Sequence, residues 1–461
     1  MLFERIESEG LAHYSYLVGD QREAVVIDPR RDCGIYIDMA ARAGYRIVAI
    51  LETHRNEDYA IGSVELAARL GGRLGCHQTV DIWHADAALD YQYGAPAQDG
   101  QTWQIGRLKL TALHTPGHTP GHMSYLLTDP DKNPWVVFTG DALFAGDVGR
   151  VDLLGEERML EMAEMLYDTL FNKLLPLGDH VIICPAHGSG SVCGNEIAER
   201  VWSTIGLERR HNRKLQYTSK EAFLANVPRI LERPPYFRGI ERLNLAGAPV
   251  LGSLPVPPPI EPRRFAGQAL EGFVLDTRME LAFTSAHVPN ALSTWQSGLA
   301  SFAGWFLPFD RPLLLVTPQE DPREAVRTLI RLGYDNITGT LAGGMLGWHT
   351  AGLESRRIPT LTTHELCAQL DAGHAPWILD IRSEEELAGE GEIVDAHHIH
   401  VTQLPHHLAD IPRDREISIF CGSGLRSTLA ASYLQREGWD AVKVVLGGTK
   451  GWNSTACPLE L

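Results

Sequence analysis

Positive charge is in short supply. The 461-residue chain carries 41 Lys and Arg against 58 Asp and Glu, a formal net charge of −17, and no block rich in Lys or Arg stands out. Nucleic acid and anionic membrane surfaces need clustered cations, so neither is expected as a partner. Long hydrophobic runs are missing too. No stretch reaches the ~18 apolar residues of a membrane span, and residues 1–10 lack a basic start followed by an apolar run. These absences predict a cytoplasmic protein. Cysteine is sparse: Cys33, Cys76, Cys184, Cys193, Cys367, Cys421 and Cys457 form an odd, scattered set unlike a secreted disulfide scaffold. An important cysteine here is expected to be a reactive thiol rather than half of a bridge.

What is present suffices for several folded domains. Hydrophobic residues make up 44% and charged residues 21%, enough for real cores, and the length suggests about three domains. Up to residue ~205, short β-rich runs (24–28, 47–51, 108–113, 135–139 and 181–184) alternate with helical patterns such as residues 157–167. Polar residues cluster where those strands end. The proline-rich sequence LPVPPPIEP at 254–262 favours an extended linker. Beyond it lies an internal repeat: Asp276 and Trp348 are 72 positions apart, as are Asp380 and Trp452, within matching sequence contexts. The expected domains are 1–250, a linker at 251–264, then 265–357 and 358–461.

The last repeat delivers Cys421 from a β-run into the loop CGSGLR, residues 421–426, just before a helix. Successive backbone N–H groups, the helix N-terminus and the Arg426 guanidinium all favour a thiolate there, and the thiolate is the nucleophile. Gly422, Ser423 and Gly424 are expected to cradle the transferred group. The segment resembles the rhodanese sulfurtransferases, whose Cys-x-x-Gly-x-Arg loop holds a persulfide. Asp380 and the GG-x-x-GW sequence at 447–452 match as well. Cysteine phosphatases place five residues between Cys and Arg, and here only four intervene. In the first repeat the position of Cys421 is taken by Thr317 and that of Arg426 by Pro322. That repeat is expected to be an inactive rhodanese-like domain with a structural or docking role.

ETHRNEDY at 52–59 closes a strand pattern and opens a set of polar strand ends. The others are HTPGHTPGH at 114–122, the segment 138–152 with Asp141, Arg150 and Asp152, and CPAHGSGSVCG at 184–194. Together they resemble the metallo-β-lactamase superfamily, and more narrowly the persulfide dioxygenases, over about residues 1–245. Two-zinc members carry His-x-His-x-Asp-His, but here Asn56 and Tyr59 replace two of the histidines. His54, His118 and Asp141 remain, and two imidazoles with one carboxylate suit non-haem Fe(II) and O₂ chemistry. Asp58 and His187 are expected to orient ligands or to hold a weak second metal. His114 and His122 are expected to pack and hydrogen-bond beside the ligand loop. Arg150 is expected either to pair with Asp152 or to hold an anionic substrate. Cys33, Cys76, Cys184, Cys193, Cys367 and Cys457 are read as structural.

The resemblances imply an αββα metallo-β-lactamase-type sandwich followed by two rhodanese-like α/β domains with parallel sheets. They imply one Fe(II) per chain, with Zn as an alternative. The expected function is oxidation of a low-molecular-weight persulfide by O₂ to sulfite and thiol, coupled through Cys421 to thiosulfate sulfurtransfer in sulfide detoxification. Two other readings stay open: a dinuclear zinc thioesterase of the glyoxalase II type joined to sulfur carriers, and a non-enzymatic sulfide-responsive sensor. A homo-oligomer is expected from the family. The thiol carrier, whether glutathione, coenzyme A, cysteine or bacillithiol, is not written in any motif.

Overall fold

A computed structural model describes the chain except residues 74–79, 87, 195, 320, 375, 458, 460 and 461. Cys76 and Glu320 therefore lie outside the described residues. The chain divides into two compact units, Met1–Leu254 with Ile330–Gly333, and Pro255–Leu329 with Tyr334–Leu461.

The first unit is an αββα sandwich built by period-two alternation. Its first sheet runs Leu2–Ser8, His13–Asp20, Glu23–Ile27, Arg46–Leu51, Asp81–His84, Ala95–Pro96. The second runs Ser203–Thr204, Ile182–Pro185, Pro134–Gly140, Met123–Thr128, Leu108–His114, Thr102–Ile105. Val25, Ile27, Ala49 and Leu51 of the first sheet share a core with Leu110, Tyr125, Leu127 and Phe138 of the second. Their alternates face outward to helices. Val26 and Ile50, together with Ile47 on the far side of a register shift, pack with Tyr36, Ile37 and Leu66 of the helices Gly34–Ala43 and Ser63–Arg73. Val137 and Ile183 pack with Met162 and Leu166 of the helix Glu156–Asp168. Burying each such side chain contributes roughly 1.5–3 kcal/mol, so the alternation sets the layers.

Strand pairing then gathers the polar loops along one edge. The parallel register sets Gly140 opposite Pro185, and Ala186 N–H donates to the Gly140 carbonyl, which brings Asp141 beside His187. Between the sheets, Met123 N–H donates to the Thr53 carbonyl at 2.7 Å, and the Tyr125 hydroxyl donates to the Glu52 carbonyl at 2.8 Å. The loops that follow Leu51, His114, Gly140 and Pro185 thus converge. Among the described residues, no helix is long and apolar enough to cross a membrane.

The second unit holds two five-stranded sheets of the same strand order, one per repeat. The first runs Pro259–Ile260, Ile337–Leu341, Leu313–Val316, Phe273–Asp276, Leu292–Ser293. The other runs Thr360–Thr362, Val442–Leu446, Ile417–Phe420, Trp377–Asp380, His397–His398. All their pairings are parallel. Each repeat also keeps the same ion pair two residues apart, Asp276 with Arg278 at 2.6 Å and Asp380 with Arg382 at 2.7 Å.

Two expectations change here. Residues 251–264 do not act throughout as a linker: Pro259 and Ile260 pair with Thr340 and Leu341 as an edge strand, and Pro262 opens a helix, where a missing N–H costs nothing. Cysteine pairing was also not anticipated. Cys367 and Cys457 form a disulfide with Cα atoms 5.8 Å apart. The strands Thr360–Thr362 and Val442–Leu446 lie side by side, so the helices that follow them, Thr363–Asp371 with Cys367 and Gly448–Trp452, are neighbours, and the chain leaving the second helix brings Cys457 to Cys367.

Candidate metal centre and thiol loop

Three nitrogen and oxygen atoms converge below the edge of the sandwich. Asp141 Oδ2 lies 3.7 Å from His54 Nε2 and 3.5 Å from His118 Nε2, and all three side chains are fully buried. Neighbouring groups decide which imidazole nitrogen carries the proton. The Arg150 carbonyl can only accept, so His118 Nδ1–H donates to it at 3.0 Å and Nε2 keeps its lone pair. Thr53 Oγ1 donates to Asp28 at 2.8 Å and accepts from His54 Nδ1–H at 2.9 Å, which frees His54 Nε2 in the same way. Burial outweighs the Thr53 hydrogen bonds and raises the Asp28 carboxyl to about 7.

His54 Nε2, His118 Nε2 and Asp141 Oδ2 have no hydrogen-bond partner. Leaving such buried groups unsatisfied costs about 1–3 kcal/mol each, and a cation between them removes that cost. Glu57 joins the cluster: its Oε1 is 3.1 Å from His118 Nε2, and its Oε2 is buried and unpartnered. The donor set, two imidazoles and two carboxylates, fits a bound metal ion.

His187 stands on the other side of Asp141. Its Nδ1 is 2.8 Å from Asp141 Oδ1 and its Nε2 is 2.8 Å from Asp58 Oδ2, so both nitrogens face carboxylates. Burial opposes a charged ring, but Asp141 and Asp58 outweigh it and hold the His187 pKa well above its ordinary value. His122 is excluded as a ligand by a different contact. Its Nε2 accepts from the Asp141 backbone N–H at 3.0 Å and its Nδ1 meets Thr115 Oγ1 at 2.9 Å. Burial lowers its pKa to about 3, so it stays neutral. His114 Nε2 lies 2.9 Å from the Pro120 carbonyl, bracing the same loop.

Arg150 forms the internal pair rather than an anion site. Its guanidinium donates twice to Asp152 at 2.7 Å and also to the carbonyls of Val192, Leu231 and Glu232. Those donors all end inside the protein, so of the two expectations for Arg150 the structure shows the internal pair with Asp152. Its carbonyl remains essential to the centre by orienting His118.

In the second unit, Cys421 follows the strand Ile417–Phe420 and is fully buried. The Gly424 N–H donates to Cys421 Sγ at 3.1 Å. The helix starts at Leu425, one residue before Arg426, which places Arg426 in its first turn. Gly448 lets this loop close: a Cβ there would sit 2.0 Å from the Cys421 carbonyl oxygen and 2.4 Å from Ser423 N. Arg426 does not point into open space. Its two terminal nitrogens donate to Glu386 at 2.6 and 2.5 Å, and Nη2 lies beside Gly422, 3.1 Å from where a Cβ would stand. Glu386 also caps its own helix, since its carboxylate accepts from the Ser383 N–H. In the first repeat, the positions 104 residues earlier hold Thr317 for Cys421, Pro322 for Arg426 and Ala282 for Glu386. The nucleophile and both members of the ion pair are absent together.

A metallo-beta-lactamase superfamily model matches residues 9–187, and a rhodanese-like domain model matches residues 362–455. The mitochondrial persulfide dioxygenase ETHE1 of Bos taurus is 32% identical over 215 residues, covering 45% of this chain and 73% of that protein. The chain belongs to the metallo-β-lactamase superfamily. Hydroxyacylglutathione hydrolase GloC of Haemophilus influenzae is 27% identical over 211 residues, 43% of this chain and 90% of that protein. A crystal structure titled as a metallo-beta-lactamase from Staphylococcus aureus superposes with a TM-score of 0.65 at 28% identity, covering 74% of this chain and 98% of that one.

Within the superfamily's metal loop, this chain departs at two places. Asn56 turns its amide to the His54 carbonyl at 3.2 Å. The Tyr59 ring lies 3.8 Å from the ring of His13, and its hydroxyl is buried without a partner. Glu57 occupies a variable position of the motif and was missed by sequence reasoning; its one signal was a third acidic residue in ETHRNEDY. Cys193, read as structural, also belongs to this neighbourhood. It groups with Asp58 and His187, its Sγ is 3.8 Å from Glu57 Oε1, and burial followed by the surrounding carboxylates raises its pKa well above the usual thiol value. His13 was not singled out either, and its signal is only its place in a strand that bridges to His187.

Proposed function

We propose that this protein is an iron-dependent persulfide dioxygenase whose chain also carries a sulfurtransferase. The observation that carries the reading is the buried, unpartnered set of His54 Nε2, His118 Nε2 and Asp141 Oδ2, while Asn56 and Tyr59 each remove one imidazole, one from each position of the two-zinc pattern. Iron held by His54, His118 and Asp141, with Glu57 as an adjacent oxygen donor, would supply the activation of O₂. The chain's own contribution is orientation and exclusion of water. Thr53 and the Arg150 carbonyl hold the imidazoles, and His187 holds Asp141 from behind. In the overall reaction a persulfide R–S–SH, O₂ and water give the thiol R–SH, sulfite and two protons. The S–S bond breaks, the outer sulfur is oxidised, and O₂ is reduced.

Cys421 serves the second reaction. Sulfite attacks the outer sulfur of a Cys421 persulfide, the S–S bond breaks, and thiosulfate leaves with the Cys421 thiolate restored. The Gly424 N–H is placed to stabilise that thiolate. Joining both activities in one chain raises the effective concentration of the shared sulfur intermediates.

The zinc thioesterase reading draws support from the likeness to the hydroxyacylglutathione hydrolase and from the retention of Asp58 and His187. Against it, Asn56 and Tyr59 stand where the two-zinc pattern has imidazoles. Anaerobic purification, Fe and Zn analysis, and O₂ uptake with glutathione and pantetheine persulfides separate the two. Stoichiometric zinc with no O₂ uptake would overturn the dioxygenase reading.

A further inference from the structure

The short helix Gly448–Trp452 packs on the Cys421 loop and holds its backbone. The Thr449 N–H donates to the Cys421 carbonyl at 3.1 Å, and the Gly447 N–H donates to the Ser423 carbonyl at 2.9 Å. The second bond matters for chemistry. The Ser423 carbonyl and the Gly424 N–H belong to one planar peptide unit, so Gly447 aims the N–H that donates to Cys421 Sγ at 3.1 Å. Trp452, 1% exposed, sets its ring edge-on to Phe420, the residue before Cys421, with centroids 5.6 Å apart. A helix of five residues has little stability of its own in water. It keeps its place through what it is tied to.

Two ties bind it to the helix Thr363–Asp371. One is close packing: a Cβ on Gly451 would stand 2.8 Å from Thr363 Oγ1, and Trp452 shares a core with Leu366 and Cys367. The other is covalent, since Cys457, just beyond Trp452, is joined to Cys367. Cys367 is 5% exposed, whereas Cys457 is only half-buried, so a thiol from solvent reaches the bridge through Cys457. The same place is furnished for the open state. Asp371 carboxylate oxygens lie 3.7 Å from Cys457 Sγ and 3.9 Å from Cys367 Sγ, within reach of an S–H from either cysteine once the S–S bond is broken.

We propose that the Cys367–Cys457 disulfide is a redox-sensitive clamp on the Cys421 loop: closed, it holds the segment that aims the loop's N–H groups, and opened by low-molecular-weight thiols, it slackens that segment and slows sulfur transfer. The inference rests on the sulfurtransferase reading of that loop. Opening is thiol–disulfide exchange. One thiol attacks Cys457 Sγ, the S–S bond breaks and Cys367 leaves as the thiolate, which takes up a proton. A second thiol displaces Cys457 from the mixed disulfide. The bridge gains two electrons, and the two external thiols are oxidised to their own disulfide. Without the cross-link the chain beyond Trp452 frays, and the Gly447 and Thr449 donors spend time away from the loop carbonyls.

The test compares the full chain prepared under oxidising conditions with the same chain reduced by dithiothreitol and desalted anaerobically, thiol titration establishing each state. Reduction is expected to slow thiosulfate:cyanide sulfur transfer by at least about threefold. It should also speed amide hydrogen exchange at Gly447 and Thr449 by about tenfold or more, with the strand Ile417–Phe420 unchanged. Cys457→Ser should match the reduced chain under both treatments. Because both states of the native chain are compared, the test stays decisive should the variant not fold. Equal transfer rates, or exchange at Gly447 and Thr449 unaltered by an opened bridge, would overturn the clamp and leave the disulfide a general brace. Absence of sulfur transfer in both states would overturn the sulfurtransferase reading instead, with the exchange rates still deciding whether the bridge holds the loop.

Discussion

Glu57 Oε1 lies 3.1 Å from His118 Nε2, inside a cluster otherwise made of His54 and Asp141. A carboxylate buried there with one unpartnered oxygen is stabilised by a bound cation and opposed by its absence. Glu57→Ala is therefore expected to lower iron affinity by about 10-fold or more, read by competition with a chromogenic chelator, while the far-ultraviolet circular dichroism is unchanged. Unaltered affinity would make Glu57 a neighbour of the centre and not part of it.

The two chemistries should separate cleanly by mutation. His54→Ala is expected to abolish iron retention and O₂ uptake while thiosulfate:cyanide sulfur transfer persists. Cys421→Ser should do the reverse, leaving O₂ uptake within about twofold and removing sulfur transfer by at least about 100-fold, because no other group supplies the thiolate. Loss of O₂ uptake in Cys421→Ser would show that the division of labour is wrong.

The Glu386–Arg426 pair predicts a pH-dependent contribution to stability. Burial opposes ionisation of Glu386, but the Arg426 hydrogen bonds and the Ser383 N–H outweigh it and bring its pKa from 4.5 down to about 2. Because the folded value is depressed, the contribution is complete above pH ~4.5 and is lost as pH falls through about 2. Glu386→Gln should destabilise the second unit by about 1–2 kcal/mol at pH 7, between an exposed and a fully buried pair. The deficit against the native chain should shrink at pH ~3.5, as measured by urea midpoints. Sulfur transfer should fall with it, since Arg426 would lose the contact that holds it beside Gly422. A deficit that grew on acidification would contradict the pairing.

The disulfide makes a simple count. Titration of thiols in denaturant without reductant should find five per chain, and seven after reduction, because Cys367 and Cys457 are joined. Closing a loop of this length is worth about 2–4 kcal/mol, so Cys457→Ser should lower the melting temperature of protein prepared under oxidising conditions. Seven thiols throughout would refute the bridge.

Much of this arrangement was legible from local pattern. The strands that carry Val26, Leu51, Val137 and Ile183 follow from alternation, and the strand-end clusters around His54, His118 and Asp141 follow from motif order. The repeat was legible because Asp380, Cys421 and Trp452 recur with the spacing of Asp276, Thr317 and Trp348. The retained and lost positions of ETHRNEDY could be read in one dimension, since each is a fixed number of residues from the strand end.

The sequence by itself therefore determined the elements, the two kinds of domain and the residue types at each strand end, because side-chain direction along a strand is a local property. Only the tertiary structure decided which partner each polar group meets. Arg150 chooses Asp152 over an anion, Arg426 chooses Glu386 from 40 residues away, and Cys367 finds Cys457 from 90. Glu57 turns toward His118 rather than solvent for the same reason. These pairings depend on distances between loops that only sheet registry sets, and on burial, which makes a polar group left without a partner costly.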